Sequence, residues 1–382
     1  MAAQVDVVAT RRAWAEVDLG AIRHNAGLLA ALAAPASLCA VVKAGAYGHG
    51  SVAVARAALE GGASWLAVAL VTEGETLRRH GIDAPVLLLS EPPVEAMDDV
   101  VALSLTPTLY TAQGVEAAAK AVAAAAAPPL AVHVKVDTGM HRVGASADGA
   151  VAVAKAVAER PELVFGGLWT HFAVADEPAN PFTDEQCARF DAVVERLASL
   201  GLRPPLVHAC NSAGALAMPG AHHDMVRCGI ALYGVAPSPA LAAVELVAGL
   251  RPALSLRARV SYVKKVPAGQ AVSYGLRRPL AQAATVATVP VGYADGVPWR
   301  LGVTGGEVLI GGRRRPIAGS VTMDQILVDC GDDDRVLPGD EVVLIGRQGG
   351  EQVTAWDWAT KVDTIAYEVL CGIGPRVPKI YG

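Results

Sequence analysis

The first two thirds of the chain alternate between short apolar runs and helix-like stretches. Helical segments such as TEGETLRRH and EQCARFDAVVERLASL separate most of the runs. The eight apolar runs are LCAVVKA, WLAVAL, APVLLLS, LSLTPTL, LAVHVKVD, VFGGLWTHF, LVHACNS and MVRCGIALYG. Strands that are apolar on both faces are typical of a parallel sheet covered by helices. Eight such units within roughly 230 residues predict an N-terminal (β/α)8 barrel of the TIM type.

The pattern changes after about Leu250, where strand-like runs follow one another between Gly, Pro and Asp turns. These runs are SLRARVSYVKKV, ATVATVPVGYA, GEVLIGG, PIAGSV, MDQILVDC and DEVVLIG, and only VTAWDWATKVDTIAYEVLCG reads as helix. A mostly antiparallel C-terminal β domain is therefore predicted. We expect the barrel to span residues 11–248 and the β domain residues 249–382, together with a short strand within residues 1–10. Asp18 is a predicted N-cap for the first barrel helix.

Charge and composition exclude several classes of function. A net charge of −5 gives no electrostatic reason to bind nucleic acid or an anionic membrane. The triplet Arg313-Arg314-Arg315 follows two glycines and is interpreted as the solvated flank of a hairpin. The six cysteines show no C-x-x-C spacing, which argues against a disulfide framework and against a metal site.

No segment reads as a membrane anchor or a secretory leader. The alanine-rich stretch from Gly114 to Val134 is interrupted by Glu116, Lys120 and a pair of prolines, so it is too broken to cross a bilayer. The first residues lack a charged leader followed by an apolar core. We therefore expect a cytoplasmic protein with no membrane partner.

Lys43 ends the first apolar run of the barrel, in the string VVKAGAYGHG. Ligands of parallel barrels bind at the carboxyl ends of the strands, and a lysine rarely ends a buried strand without a partner. An amine leaving an apolar wall loses its proton readily and can act as a nucleophile towards an aldehyde. A lone lysine at this place is usually a surface charge, so the rest of the barrel has to decide.

Polar residues also follow the other apolar runs, at ends that a barrel brings together. Buried charge is costly without partners, so their convergence indicates a site. The fifth run carries Lys135 and is followed by Arg142, the sixth ends near His171, the seventh ends in His208, Asn211 and Ser212, and the eighth holds Arg227 before Gly229 and Ile230.

Strings along nearly the whole chain resemble the bacterial alanine racemase family in matching order. In the predicted barrel they are KAGAYGHG, HVKVDTGMHRVG, GLWTHFAVADE, HACNSAGAL and DMVRCGIALYG. In the predicted β domain they are SLRARV, VSYGL, VPVGYADG, VTMDQILVD, PGDEVVLIG, AYEVLC and RVPKIYG. Two positions depart from the family pattern: Gly45 stands where Asn or Asp is usual, and Thr322 where Cys is usual.

The resemblance implies pyridoxal 5'-phosphate as cofactor, carried on Lys43. It implies that the cofactor phosphate meets the hydroxyls of Ser212, Tyr47 and Tyr367 and the backbone N–H groups of Gly229 and Ile230. Arg227 resembles the arginine that faces the pyridine nitrogen, with His208 supporting it and His171 linking it towards the catalytic tyrosine. Asn211 is included among the cofactor-binding residues.

The resemblance further implies racemisation of alanine by two bases, Lys43 and Tyr274, one on each face of the substrate, supplying D-alanine for peptidoglycan. Arg142 and the backbone N–H of Met323 are expected to hold the substrate carboxylate. Tyr274 and Tyr293 are expected to come from the partner subunit of a head-to-tail homodimer. Lys135 matches a lysine that carries a carbamate in several members. Tyr293 and Asp324 are expected at the entrance, where narrowing favours a methyl side chain.

Four alternatives remain open at this stage. A racemase for serine or for several small amino acids would use the same catalytic pair. A pyridoxal-phosphate decarboxylase would need an acidic residue where Arg227 stands. A cofactor carrier would be a single-domain barrel, and a cofactor-free α/β protein would stay colourless.

Overall fold

The computed structural model describes residues 12–382, which form two compact units. The barrel unit comprises residues 19–46 and 50–251, and the β unit comprises residues 12–18, 47–49 and 252–382. The first strand, β1 (Ala13–Val17), belongs to the β unit. The strand expected within residues 1–10 lies outside the described residues.

Residues 19–251 contain the eight strands that the apolar runs predict, each parallel to its neighbours. They are β2 (Ser37–Val41), β3 (Trp65–Val68), β4 (Val86–Leu88), β5 (Thr108–Leu109), β6 (Leu130–Lys135), β7 (Leu163–Trp169), β8 (Leu206–His208) and β9 (Met225–Cys228). A parallel bridge between Leu87 and Thr106 joins β4 to the segment before β5. The N–H of Arg227 donates to the carbonyl of Cys210 at 3.0 Å and joins β9 to the end of β8. The ring is completed by β2 and β9, which pair directly, so the predicted barrel is confirmed.

Helices alternate with these strands. They are α1 (Leu19–Ala33), α2 (Ser51–Glu60), α3 (Val71–Arg79), α4 (Met97–Ala102), α5 (Ala112–Ala125), α6 (Ala147–Ala158), α7 (Phe182–Ser199), α8 (Ser212–Ala217) and α9 (Glu245–Gly249). Three of these helices are capped at their N-termini by a side-chain oxygen that accepts a hydrogen bond from a free backbone N–H. The capping residues are Thr111 for α5, Ser146 for α6 and Asn211 for α8. The alanine-rich stretch forms α5 and then β6, and among residues 12–382 no helix has the length and apolarity needed to span a membrane.

The β unit contains a seven-stranded sheet and a three-stranded sheet among its described residues. Its further strands are β10 (Leu254–Arg259), β11 (Tyr262–Val266), β12 (Ala284–Val289), β13 (Glu307–Ile310), β14 (Arg313–Pro316), β15 (Ile326–Asp329), β16 (Glu341–Gln348), β17 (Glu351–Val353) and β18 (Lys379–Tyr381). The larger sheet runs β14-β13-β16-β10-β1-β18, with β17 on β16, and the smaller runs β11-β12-β15. Most neighbouring pairs are antiparallel, as predicted, and β1 with β18 is parallel.

Two local expectations in the β unit are wrong. The strand expected over PIAGSV, residues 316–321, lies instead on Arg313–Pro316. Gly311 and Gly312 both have positive φ and form the tight hairpin turn that joins this strand, β14, to β13. The arginine triplet does flank this hairpin. However, the Arg315 side chain is 11% exposed and pairs with Asp333 at 2.6 Å, so it is not solvated.

The C-terminal helical stretch divides into α11 (Ala355–Val362) and α12 (Ala366–Cys371), preceded in the chain by a short helix, α10 (Leu301–Thr304). Thr354 and Asp357 form reciprocal capping bonds at the start of α11. Asp363 adopts a left-handed conformation, φ 60°, and ends α11. One predicted helix is therefore two.

The unit boundaries lie at residues 18/19 and 251/252, rather than at 10/11 and 248/249 as expected from the sequence. The difference at the first boundary arises because β1 pairs antiparallel with β10 from Ala13 to Val17. These residues therefore belong to the β unit. Residues 47–49 also join it, since a Cβ on Gly48 would approach the Leu370 carbonyl oxygen to 2.5 Å.

Candidate active site

Lys43 follows β2 and opens a turn of unusual backbone conformation. Ala44, Gly45 and Ala46 have φ of 53°, 60° and 56°, all in the left-handed region. The Glu73 carboxylate accepts from the N–H of Ala44 at 2.6 Å and so ties the turn to the start of α3. Left-handed φ is tolerated best by Gly and, among residues with a side chain, by Asn and Asp. Gly45 therefore suits this position as well as the Asn or Asp usual in the family.

Arg227 lies inside the barrel with its side chain almost fully buried. Its Nη1 donates to His208 Nδ1 at 2.8 Å. Its Nη2 donates to the carbonyls of Thr170 and Ala209 at 2.8 and 2.9 Å, and lies 3.3 Å from His171 Nδ1. No carboxylate of the described residues is among the groups that act on its charge, and burial lowers its pKa to about 10, so it remains a cation at neutral pH. A buried cation of this kind is stabilised when an anion binds nearby.

The Trp169 ring contacts the charged groups of both Lys135 and Arg227. Lys135 Nζ lies 4.2 Å from the centre of its ring, and the Arg227 guanidinium carbon lies 4.5 Å from it. The His208 ring stacks on the same indole, with centroids 5.7 Å apart and planes 8° from parallel. The indole thus supports both cations by cation–π contact.

The electrostatics of the mouth are dominated by cations. Burial, and then the positive charges of Arg227, Arg142, Lys135 and Lys43, hold the pKa of His171 well below its usual value. Burial and the neighbouring Arg142 and Arg227 lower the pKa of Lys135 to about 7, against a smaller opposing effect of Asp137. The site is therefore built to receive negative charge.

Arg142 lies on an ordered loop between β6 and α6. The Asp137 carboxylate accepts from the N–H groups of Gly139 and His141, both at 3.0 Å. The N–H of Ala145 donates to the Lys135 carbonyl at 3.0 Å, which closes the loop. The Arg142 side chain is exposed, so it is accessible to a ligand.

Ser212 lies where backbone N–H groups converge. Its Oγ accepts from the N–H of Gly229 at 2.9 Å and from that of Ala231 at 3.3 Å. A hydroxyl that accepts two bonds still has its proton to donate, and no described atom accepts it. Ile230 begins the 3₁₀ turn that follows. Asn211, by contrast, caps α8: its Oδ1 accepts from the N–H of Gly214 at 2.9 Å.

The remaining predicted site residues belong to the β unit. The rings of Tyr47 and Tyr367, both expected at the cofactor phosphate, lie with centroids 6.1 Å apart. Tyr274 is 76% exposed, and its carbonyl accepts from the Ser320 hydroxyl at 3.0 Å. Ser273, just before it, has φ 67° and donates to the Ser320 carbonyl at 2.6 Å. These bonds hold the backbone of the segment, and Tyr274 itself stays largely exposed to solvent.

Tyr293 and Met323 are joined by short backbone contacts. The N–H of Tyr293 donates to the Thr322 carbonyl at 3.0 Å, and that of Ala294 to the Met323 carbonyl at 3.1 Å. A Cβ on Gly292 would approach the Thr322 carbonyl oxygen to 2.3 Å, so glycine is required there. Asp324 pairs with Arg376 at 2.7 Å, which the sequence did not indicate.

Several residues that build the site were missed by sequence reasoning. Trp169 and His133 read as ordinary members of apolar strands. Gln186 reads as a helix residue, yet it is fully buried. Its side-chain oxygen accepts from the N–H of Ala173 at 2.8 Å, and its side-chain nitrogen donates to Thr138 Oγ1 at 3.0 Å and to the His171 carbonyl at 3.1 Å. Glu73, which anchors the turn after Lys43, has a weak sequence signal, as an acid in the first turn of a helix beside the lysine string.

These residues fit pyridoxal phosphate on two observations. The mouth of the barrel unit concentrates four basic side chains around His171, and the Ser212 hydroxyl lies between the N–H groups of Gly229 and Ala231 with its proton available. A phosphate ester and an amino-acid carboxylate are the anions that such a set would bind. Together with the strand-end Lys43, they define the class of the protein as a barrel enzyme that depends on pyridoxal phosphate.

Comparison with known proteins identifies the family. The model of the alanine racemase N-terminal domain matches residues 17–237, and that of the alanine racemase C-terminal domain matches residues 253–381. The chain therefore belongs to the alanine racemase family, whose members depend on pyridoxal phosphate.

Relatives match over almost the full chain. The alanine racemase of Symbiobacterium thermophilum is 46% identical over 99% of both chains. That of Carboxydothermus hydrogenoformans is 44% identical over 97% of this chain and 100% of its own. The crystal structure from Streptomyces lavendulae, a producer of D-cycloserine, has a TM-score of 0.92 at 39% identity, covering 97% of each chain. The Bacillus anthracis enzyme with bound L-Ala-P has a TM-score of 0.90 at 37% identity, covering 97% of this chain and 95% of that one.

Proposed function

We propose that this protein interconverts L-alanine and D-alanine, supplying D-alanine for peptidoglycan. One observation carries the proposal: the buried residue that contacts both His208 and His171 is an arginine, Arg227, and not an acid. It lies at the barrel mouth that also holds Lys43. An acid there would favour decarboxylation, as in the related barrel enzymes. We place the reaction in the cytoplasm, where buried reduced thiols such as Cys39, Cys210 and Cys228 persist.

The first base is Lys43. Pyridoxal phosphate, when bound, withdraws electrons from an amino acid and makes its Cα–H acidic. The Lys43 amine then removes or returns the Cα proton on one face.

Arg227 controls where the proton returns. The bonds described above use one N–H of Nη1 and both of Nη2, so of the five guanidinium N–H groups two remain for a ring nitrogen. With a pKa of about 10, Arg227 donates a hydrogen bond at neutral pH and keeps its proton. Negative charge then stays close to Cα, which favours return of the proton to Cα and suppresses transamination.

The second base is Tyr274, supplied by a partner subunit. Its side chain is 76% exposed in the single chain while its backbone is held by Ser320. This exposure supports a head-to-tail homodimer in which each mouth receives a partner's tyrosine. The phenol gives or takes the proton on the face opposite Lys43.

The substrate carboxylate is held by Arg142 and by the backbone N–H of Met323. Tyr293 and Asp324 narrow the entrance. Arg376 bonds the Asp324 carboxylate at 2.7 Å and the buried Asp295 at 3.4 Å, which fixes that part of the wall. A narrow entrance favours the methyl group of alanine over larger side chains.

The test follows optical rotation and Cα deuteration of L-alanine in heavy water with protein and pyridoxal phosphate. Racemisation predicts rotation decaying to zero with deuterium entering D-alanine. Lys43→Ala is the control and should abolish both signals. Deuterium entry without loss of rotation would contradict a working second base. Equal rates of racemisation of L-alanine and L-serine would show a racemase of broader specificity. Release of carbon dioxide from a diamino acid would show a decarboxylase and overturn the proposal.

A further inference from the structure

A second histidine lies behind His208, deeper in the barrel. His133 Nδ1 and His208 Nε2 are 2.9 Å apart, between β6 and β8, and both rings are fully buried. His208 Nδ1 in turn faces Arg227 Nη1 at 2.8 Å. The three side chains form one continuous line of hydrogen bonds from Arg227 inward.

The direction of every bond in this line follows from the arginine. A guanidinium has N–H donors and no acceptor, so His208 Nδ1 must accept and carries no proton. The proton of a neutral His208 is then on Nε2, which donates to His133 Nδ1. His133 consequently carries its own proton on Nε2, and that atom has no hydrogen-bond partner among the described residues.

The barrel is shaped to hold the His133 ring in this place. A Cβ on Gly167, on the neighbouring strand β7, would approach the ring atoms to 2.6 Å, so only glycine leaves room for the imidazole. The ring also packs against Trp65, with centroids 5.4 Å apart. Burial and the charge of Arg227 lower the pKa of His133 to about 3, which keeps the ring neutral and able to accept.

We propose that His133 is a positioning residue that holds the His208 ring, and through it the Arg227 guanidinium, in the orientation that a pyridine nitrogen requires. His133 Nδ1 accepts the proton that His208 offers inward. The unpaired N–H of the line therefore lies on His133 Nε2, and both nitrogens of the ring that bonds Arg227 are satisfied. The consequence for catalysis rests on the proposed function, whereas the hydrogen bond itself does not.

Nuclear magnetic resonance detects the hydrogen bond between His208 and His133 directly. The protein is labelled with 15N in histidine and measured with and without added pyridoxal phosphate. We expect both rings to be neutral Nε2–H tautomers and a scalar coupling across the hydrogen bond from His208 Nε2 to His133 Nδ1. Substitution of each histidine assigns its signals. A His133 ring protonated on Nδ1, or no coupling to His208, would overturn the inference whether or not the protein racemises alanine.

Variants test the consequence for Arg227. His133→Leu removes the acceptor at similar volume, and His133→Asn restores an acceptor close to the position of Nδ1. Val134→Ala is the matched control, since it removes core volume from the next buried position of the same strand. For His133→Leu we expect kcat to fall about tenfold with little change in KM, the effect of one lost buried hydrogen bond. We also expect a larger share of turnovers to end in transamination.

Two outcomes separate positioning from mere packing. Recovery of kcat and of the racemisation share in His133→Asn supports positioning, as does normal partitioning in Val134→Ala. His133 is an ordinary core residue, and the inference fails, if Val134→Ala raises transamination as much as His133→Leu does. The same conclusion follows if His133→Leu racemises alanine at the normal rate. Loss of all racemisation in the unmodified protein, with the coupling intact, would instead contradict the proposed function.

Discussion

The ammonium nitrogen of Lys135 lies 4.2 Å from the centre of the Trp169 ring, whose face Arg227 also contacts. Two cations therefore share one indole inside the barrel. Burial and the charges of Arg142 and Arg227 lower the pKa of Lys135 to about 7. Near neutral pH a large fraction of this amine is consequently neutral and nucleophilic.

We predict that Lys135 carries a carbamate. The neutral amine nitrogen attacks the carbon of carbon dioxide and releases one proton, giving an anion beside Arg142. Protein equilibrated with 13C-bicarbonate should show a carbamate carbonyl signal that is lost in Lys135→Arg, because a guanidinium does not react. Unchanged activity after removal of carbon dioxide, with no such signal, would contradict the prediction.

Ser212→Ala should weaken cofactor binding. Its hydroxyl proton is available for a phosphate oxygen, and a hydrogen bond to a charged group contributes about 1.5–3 kcal/mol, so Kd for pyridoxal phosphate should rise about 10- to 100-fold. Titration followed by cofactor absorbance measures this. Pyridoxal, which lacks the phosphate, should lose much less affinity.

The control for that experiment is Ser146→Ala, which removes the cap of α6, where Ser146 Oγ accepts from Gly149 N at 3.1 Å. It should lower the free energy of unfolding by about 1 kcal/mol and leave the Kd for pyridoxal phosphate unchanged. An equal loss of affinity in both variants would assign the effect to stability.

Tyr274→Phe should impair the two directions of reaction unequally. Removing the phenol deletes the acid–base group on one face, so the primary deuterium isotope effect should rise for one enantiomer of alanine more than for the other. Tyr262→Phe is the control, since Tyr262 is another exposed tyrosine of the β unit, on β11. Equal changes for both enantiomers in Tyr274→Phe would contradict the two-base assignment.

The apoprotein should lose stability as the pH falls below about 6.5. Burial holds the pKa of His133 at about 3 and that of His208 well below its usual value, so both stay neutral in the fold and bind protons on unfolding. The unfolded state then binds more protons, and stability falls with decreasing pH. These two histidines contribute up to about 2.7 kcal/mol per pH unit, and His171, whose pKa is also held well below its usual value, adds to the slope. Denaturant unfolding at pH 7, 6 and 5 measures the slope.

His133→Leu removes one of these two groups. The slope between pH 6 and 5 should therefore be shallower than in the unmodified protein by about 1.4 kcal/mol per pH unit. Identical slopes would show that His133 is protonated in the fold.

Much of the site could be predicted because its residues follow apolar strands. Lys43, Lys135, His171, His208 and Arg227 each lie at or just beyond a strand end, where barrel topology brings them together. Trp169 and His133 could not be assigned, because an aromatic or imidazole group inside an apolar run is usually core. Their role depends on which neighbour each ring meets across the barrel.

The apolar periodicity determined the architecture of the barrel unit, since doubly buried runs require a parallel sheet covered by helices and eight such βα units match a closed barrel. The turn-separated strand runs after Leu250 determined the antiparallel character of the β unit. The motif strings determined the family. Tertiary structure decided that β1 joins the β unit, that α11 and α12 are separate, and that Arg315 is largely shielded and paired with Asp333. It also decided the direction of the hydrogen bonds from Arg227 through His208 to His133. Those properties depend on strand pairing and on which donor faces which acceptor, and residues 75 positions apart, such as His133 and His208, acquire that relation only in the folded chain.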